Sequence, residues 1–436
     1  MLLRFEVSNH RSILDPVELS LIAVDQERPS TRGFELLSER VLTIAGIYGP
    51  NASGKSNVVE ALAWLSAAVR RSLRAWDDFV PRDPFKFAGG PTRESTYEIE
   101  MVVEGVRYEY RVAVDDSAVV FEGLYSYPER RRRVLFEREG MELRLRRGLG
   151  ALSGTRELLT PTTLALSAAM RLDEREVGAF GRSASGIGVL ALRHKAPWRS
   201  LGRGGGGIGS SPTGRLFEER GSLAQSSLFD EPGFERFDDR ESALALLRFA
   251  DLGIDDVQIV EDPDDDGVGT SSNARREPRR QLRLMHRVAE QELPFELEEE
   301  SAGTQTWFAL IGPTLRALRN GQILLFDEID ASLHPRLSAR LPELFQDPAT
   351  NPRGAQLIFT THDTSLLNHL NRDEVWLTEK GVDGATTLTA LAEYGGDKVR
   401  RSMNLEKAYL QGRFGAVPEL DQFVLHRALG LTTSAT

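Results

Sequence analysis

Residues Gly49-Pro50-Asn51-Ala52-Ser53-Gly54-Lys55-Ser56 form a complete G-x-x-x-x-G-K-S. The chemistry of that spacing is anion binding. Glycines let the backbone curl so that successive N–H groups and a helix N-terminus face a phosphate. The lysine adds a point charge for β- and γ-phosphates, and the serine hydroxyl is a Mg²⁺ ligand. Gly49, Asn51, Ser53, Gly54, Lys55, Ser56 and the following Asn57 are therefore the expected nucleotide-binding residues. A second cluster, Asp327-Glu328, ends the apolar run Ile323–Phe326. Two adjacent carboxylates beside a triphosphate need different work: Asp327 holds Mg²⁺, directly or through water, and Glu328 polarises the water that attacks the γ-phosphate. Thr360-Thr361-His362-Asp363 closes another apolar run, where His362 either reaches the γ-phosphate or belongs to a capping cluster. Glu300-Ser301-Ala302-Gly303-Thr304-Gln305 precedes the apolar stretch WFALIGPTLRALR, so Ser301 is either a plain helix cap or a phosphate ligand.

These groups need strands that end where helices begin. Val41–Gly49 is a compact β-branched run, and Val58, Val59, Leu62, Leu65, Ala68, Val69 and Leu73 recur at helical spacing after the lysine. The motif thus sits in a strand, loop and helix, as its mechanism requires. GQILLFDE and AQLIFTTHD read as buried parallel strands presenting polar groups at their carboxyl ends. Residues from about 95 to 147 alternate like antiparallel strands, with turns at Glu104-Gly105 and Glu139-Gly140. From about 150 to 290 helical patches (Leu164–Ala179, Glu241–Phe249) are separated by glycine-rich and acidic segments, with flexible loops expected at about 201–240 and 261–280.

Composition narrows the classes. The 436 residues carry 54 basic and 65 acidic side chains, a net charge of −11, with 40% hydrophobic residues and no cysteine. That excludes global disorder, disulfides, thiolate metal sites and a cysteine nucleophile. No run of about 18 apolar residues occurs, so neither a membrane span nor a secretion signal is expected and a cytoplasmic location is. The acidic total argues against a general polyanion-coating protein. Only six lysines stand against 48 arginines, and one of the six is Lys55.

The order of phosphate loop, long insertion, Ser-x-Gly segment, Asp-Glu strand, Asp330-Ala331-Ser332-Leu333-His334-Pro335 and His362 resembles an ABC-type ATPase head of the SMC, RecF and OLD kind. Ser8-Asn9-His10-Arg11-Ser12-Ile13 looks like that group's N-F-R-S opening, with His10 where phenylalanine is usual. More narrowly, DEIDASLHP, RDEVWLTEK and NLEKAYLQGRFGAVPEL look like the RloA-like ATPases of phage-defence and abortive-infection loci. The resemblance implies an α/β fold: a P-loop ATPase head with a mixed central sheet, an antiparallel β-subdomain and a mainly helical insertion. Residues 1–150 would form one lobe of the head, 151–290 the insertion, 291–400 the second lobe, and 401–436 a tail available to a partner.

It also implies ATP and Mg²⁺ as ligands and a homodimer, or higher homo-oligomer, in which each ATP is sandwiched between two heads. Lys55 and Ser56 would then bind phosphate and Mg²⁺, Asp327 would support Mg²⁺, and Glu328 would be the catalytic base. Ser301 and Gly303 would serve the partner's ATP, Asp330 would couple the sites, His362 would sense γ-phosphate, and Arg11 would approach the phosphates. The transporter form of the signature, Ser-Gly-Gly-Gln, is here Ser301-Ala302-Gly303-Thr304, and no glutamine is assigned to link Mg²⁺ to the insertion. About 70 residues follow His362, too few for the nuclease that OLD proteins append, so an effector, a nuclease for example, would be a separate protein.

The expected function is a Mg²⁺-dependent ATPase acting as sensor or motor of an anti-phage system. The alternative is a RecF-like DNA-repair ATPase that binds DNA directly. Arg130–Arg147 holds eight arginines, either a solvated hairpin in an arginine-biased chain or a face for nucleic-acid phosphates. Asp262, Asp264, Asp265 and Asp266 read as an acidic loop without calcium-loop spacing.

Overall fold

The computed structural model describes residues 1–35, 37–172, 174–190, 211–217, 236–250, 253–262, 279–288, 291–331, 333–394 and 404–416. A six-stranded sheet carries the order Gly188–Leu190, Ile323–Phe326, Gln356–Thr360, Ile44–Tyr48, Val375–Lys380, Thr386–Ala390. The first five strands are mutually parallel and the last is antiparallel to its neighbour, so the sheet is mixed. Every residue of Ile44–Tyr48, Ile323–Phe326 and Gln356–Thr360 is buried. Such unbroken apolar runs suit strands covered on both faces.

Pleating divides the two faces cleanly. Ala45, Ile47, Ile323, Leu325 and Ile358 join one core with Val58, Leu62 and Leu65 of the helix Lys55–Ala75. Ile44, Tyr48, Leu324, Phe326, Leu357 and Phe359 join the other, with Phe308 and Ile311 of the helix Ala302–Asn320 and Phe345 of the helix Pro335–Gln346. The first core also takes in a seven-stranded antiparallel sheet in which the amino-terminal strands Leu2–Ser8 and Val17–Ser20 extend the meander Ser95–Leu145. The β-rich region is thus continuous with the start of the chain. Glu104 and Gly105, at φ 49° and 80°, make the tight turn that joins Ser95–Val103 to Val106–Val114.

Several expectations between 150 and 290 need revision. Leu164–Ala179 is not one helix but two, Ala165–Ala169 and Arg175–Ser185, the second capped by the Glu174 carboxylate on Val177 N–H. The patch at 241–249 belongs to a longer helix, Arg236–Phe249. This region also contributes strands. Gly188–Leu190 completes the edge of the central sheet, and Ile254–Asp262 and Arg279–Val288 build a three-stranded sheet with Gln291–Glu296.

Of the loop expected at 201–240, residues 211–217 are packed. Thr213 Oγ1 donates to Phe308 O at 2.6 Å and accepts from Gly312 N–H at 2.9 Å. A Cβ on Gly312 would stand 2.6 Å from Thr213 N, so only glycine allows that approach. Residues 201–210, 218–235 and 263–278 lie outside the described residues, and so do the aspartates at 264–266. Of the expected tail, 404–416 is anchored: Tyr409 and Phe414 are core residues, and Ala416 N–H donates to Glu379 Oε1 at 2.7 Å. Residues 401–403 and 417–436 lie outside the described residues.

Candidate functional site

Parallel strands deliver their carboxyl ends to one edge of a sheet. Gly49, Asp327 and Thr361 follow directly on the strands Ile44–Tyr48, Ile323–Phe326 and Gln356–Thr360, whose registers pair Phe326 with Phe359 and Thr360 with Ile47. The phosphate-loop strand and the Asp-Glu strand are not neighbours; Gln356–Thr360 runs between them. Its last residue bridges the gap. Thr360 Oγ1 donates to Asp327 Oδ1 at 2.7 Å and accepts the backbone N–H of Glu328 at 2.8 Å. From the other side Ser56 Oγ donates to the same Asp327 Oδ1 at 2.8 Å.

Asp327 is fully buried, and its second oxygen, Oδ2, has no hydrogen-bond partner among the described residues. A buried carboxylate oxygen left unpaired is costly unless something cationic meets it. A buried carboxylate beside a serine hydroxyl is the oxygen donor set that Mg²⁺ prefers. The residues present therefore fit the metal that the motif implies.

The phosphate loop itself is shaped by contacts that the motif does not contain. Gly49 has φ 151°, and a Cβ there would fall 2.4 Å from Thr378 Oγ1; Gly54 has φ 105°, and a Cβ there would meet Thr386 Oγ1 at 2.2 Å. Ser53 Oγ shares a 2.6 Å hydrogen bond with Thr378 Oγ1, and Thr386 Oγ1 donates to Ser53 O at 2.8 Å. Threonines from the last two strands of the sheet thus clamp the loop. Gly54 starts the helix Lys55–Ala75 with no side-chain cap, which leaves that N-terminus open to an anion. Lys55 is buried, with Nζ donating to Gly49 O at 2.8 Å and Pro50 O at 3.1 Å. Asn51 is exposed at the crest of the loop, and Asn57 Nδ2 donates to Ser12 Oγ.

Glu328 sits at φ 57°, an unusual conformation for a side-chain-bearing residue and one that is tolerated where surrounding structure enforces it. Of the carboxylate pair, Asp327 is fully buried and Glu328 half-buried. Asp330 Oδ1 accepts from Thr361 Oγ1 at 2.7 Å and from His362 N–H at 3.2 Å, joining the segment after Glu328 to the next strand end. Just before the loop, the Tyr48 phenol is pushed well above its ordinary pKa, by burial first and then by the carboxylates of Asp363 and Asp330.

Four of the expected residues make other contacts within this chain. Arg11 reaches Glu60 of the phosphate-loop helix and Asp83, at 3.2 Å, rather than the loop backbone. Ser301 caps its own helix, accepting from Thr304 N–H at 3.1 Å, and is exposed beside a half-buried Gly303. Among the eight arginines of 130–147, Arg138 is a core residue with 0% exposure: it donates to Gly140 O and Thr160 O and lies 3.8 Å from the equally buried Glu122. It is therefore removed from any nucleic-acid face. Arg146 is half-buried against Glu176.

Thr378 and Thr386 shape the site without being marked by a motif, and Ser12 and Thr360 do so from within the Ser8–Ile13 and Thr360–Asp363 segments, whose motifs assign them no role. The one signal available for them is a hydroxyl at or beyond the end of an apolar run. His10 is buried, with Nδ1 3.0 Å from Tyr97 OH, and its pKa falls to about 4, through burial first and then the Arg11 charge.

Fold and site together define an α/β P-loop ATPase head with a mixed central sheet. The chain belongs to the family described as "AAA domain, putative AbiEii toxin, Type IV TA system", which matches residues 44–154 and 209–368. No curated protein matches the chain. Among solved structures it is similar to an SMC head bound to the C-terminal winged-helix domain of ScpA, at 14% identity and TM-score 0.47, covering 89% of this chain and 97% of that one. It is also similar to the SMC head domain from Thermotoga maritima, at 14% identity and TM-score 0.38, covering 89% and 98%. Among the described residues no helix is long and apolar enough to cross a membrane.

Proposed function

We propose that the chain is a Mg²⁺-dependent ATPase head that pairs with a second copy when ATP is bound and serves an anti-phage system whose effector is a separate protein. The observation that carries the hydrolytic part is the convergence of Ser56, Asp327 and Thr360 around one buried, half-satisfied carboxylate. Lys55 and the open helix N-terminus bind the triphosphate. Ser56 and Asp327 would hold Mg²⁺, which when bound would supply positive charge against the phosphate oxygens. Glu328, half-buried beside Asp327, accepts the proton of the attacking water, and His362, after the neighbouring strand, contacts the γ-phosphate.

Pairing is supported by the exposure of Ser301 at the start of the helix Ala302–Asn320, where a second head can reach it, and by the resemblance to ATPase heads that share ATP between two copies. The defence setting is supported by the family description, which refers to an AbiEii toxin and a toxin–antitoxin system, and by the RloA-like segments. A RecF-like reading is favoured by one observation alone, the exposure of Arg130 to Arg133 at a hairpin. Glu328→Gln tests the hydrolytic assignment. The variant should bind Mg·ATP yet release phosphate at least about 100-fold more slowly, the general-base contribution; wild-type phosphate release would overturn it.

A further inference from the structure

Beside the phosphate loop lies a cavity of about 340 Å³ lined by Arg11, Ser12, Phe85, Lys86, Phe87 and Lys380, together with Asp83 and Gly384. It adjoins the loop through one side chain: Ser12 Oγ bonds both Asn57 Nδ2 and, at 2.7 Å, Thr386 Oγ1, whose hydroxyl donates to Ser53 O. Its size falls at the lower end of the roughly 300–1,000 Å³ typical of small-molecule sites. Two of only six lysines line it. Lys86 is paired with Asp83 at 3.0 Å and Arg11 with Glu60 and Asp83, so the cationic wall is largely neutralised and does not by itself call for another phosphate.

The aromatic wall is different. Phe85 is buried and anchors the loop, whereas Phe87 is 66% exposed and meets Phe85 only edge-on, at 5.7 Å. What sets Phe87 apart from other exposed phenylalanines such as Phe79 is its place on the wall of this cavity, where its uncovered face can meet a flat ligand. The support is rigid. Asn9 accepts Phe85 N–H at 3.0 Å and donates to Gly90 O and Arg93 O at 2.8 Å each, while Arg11 N–H donates to Asp83 O at 2.6 Å. Ala88 and Gly89 follow at φ 48° and 74°, two successive left-handed residues that turn the chain immediately after Phe87 and leave its ring displayed.

We propose that Phe87 is the stacking platform for the base of the bound nucleotide, with the 83–90 loop forming the nucleoside part of the site. The inference rests on the reading that ATP phosphates occupy the loop at 49–56 and extends it to the other end of the molecule. A nucleotide gripped by its phosphates must send its base out of one side of the loop, and this is a described cavity joined to that loop which also presents an aromatic face. Stacking needs no hydrogen-bond code, so Phe87 sets affinity for the nucleoside rather than choosing strongly between bases.

The test is calorimetric titration of Mg·ATP and of Mg-tripolyphosphate, which carries the phosphates without the base, into wild-type protein, Phe87→Ala and Phe87→Tyr. Wild type should prefer ATP. Phe87→Ala should lose about tenfold or more in ATP affinity, the size of one aromatic–base stack, and keep its tripolyphosphate affinity. Phe87→Tyr, which retains an aromatic face, should restore ATP binding. Unchanged ATP affinity in Phe87→Ala, or equal loss of ATP and tripolyphosphate, overturns the platform while leaving the phosphate site standing. Wild-type protein that binds neither compound overturns both.

Discussion

Gly54→Ala puts a single methyl where the structure leaves none. At φ 105° an alanine is strained by about 1–3 kcal/mol before any contact is counted. Its Cβ would then fall 2.2 Å from Thr386 Oγ1, 2.8 Å from Thr386 Cγ2 and 2.9 Å from Ser12 Oγ. Neither neighbour is free to swing aside without loss, because Thr386 holds Ser53 O and Ser12 holds Asn57. Overpacking of this kind costs about 1–3 kcal/mol more, giving a total of about 2–6 kcal/mol. The chain can relieve it only by moving the loop or by breaking the threonine clamp, and either movement disturbs the phosphate site. At about 1.4 kcal/mol per decade, even the low end weakens Mg·ATP binding about 30-fold.

The control is Gly140→Ala, at φ 53° with nothing within 4 Å of the new Cβ. It should cost about 1–2 kcal/mol of stability and leave ATP affinity unchanged. Calorimetric titration with Mg·ATP and thermal unfolding of both variants settle the matter. A Gly54→Ala protein that binds ATP within twofold of wild type would refute the geometric reasoning.

Two further perturbations probe the frame around the site. His10 has its pKa lowered from 6.5 to about 4, so the unfolded chain binds the extra proton in that interval; stability is intact above pH 6.5 and falls by about 3 kcal/mol as pH drops to 4. His10→Phe should remove that part of the acid sensitivity, and denaturant titrations at pH 7 and 4.5 showing the same pH slope in both proteins would contradict it. Arg138→Met leaves Glu122 buried without its cation and should destabilise by about 3–5 kcal/mol. Urea denaturation of the variant measures the loss, and a destabilisation below about 1 kcal/mol would show that the buried pair is not what matters.

The motifs exposed most of the chemistry because G-x-x-x-x-G-K-S and apolar–Asp-Glu are local. The parallel strands were equally legible, since their continuous apolar runs follow from burial on both faces. Strand order was not. Nothing in Gln356–Thr360 announces that it runs between the phosphate-loop and Asp-Glu strands, so the bridging hydroxyl of Thr360 emerges only from topology. Thr378 and Thr386 are likewise about 330 residues from the Ser53 they clamp, |i−j| being 325 for the side-chain bond and 333 for the backbone one. Arg138 misled for a related reason. Its neighbours Arg130–Arg133 are exposed, but strand alternation turns this one inward onto Glu122, and composition cannot distinguish the two faces of a strand.

Nucleotide-dependent pairing is the claim on which the proposed function turns. Sedimentation of Glu328→Gln, alone and with Mg·ATP, measures it directly, with Ser301→Arg added to the same background as the interface variant. Mg·ATP should double the mass of Glu328→Gln, whereas Glu328→Gln/Ser301→Arg should still bind ATP but keep the mass it has without nucleotide. A mass unchanged by ATP, or an ATP-driven dimer that ignores Ser301→Arg, would contradict that pairing.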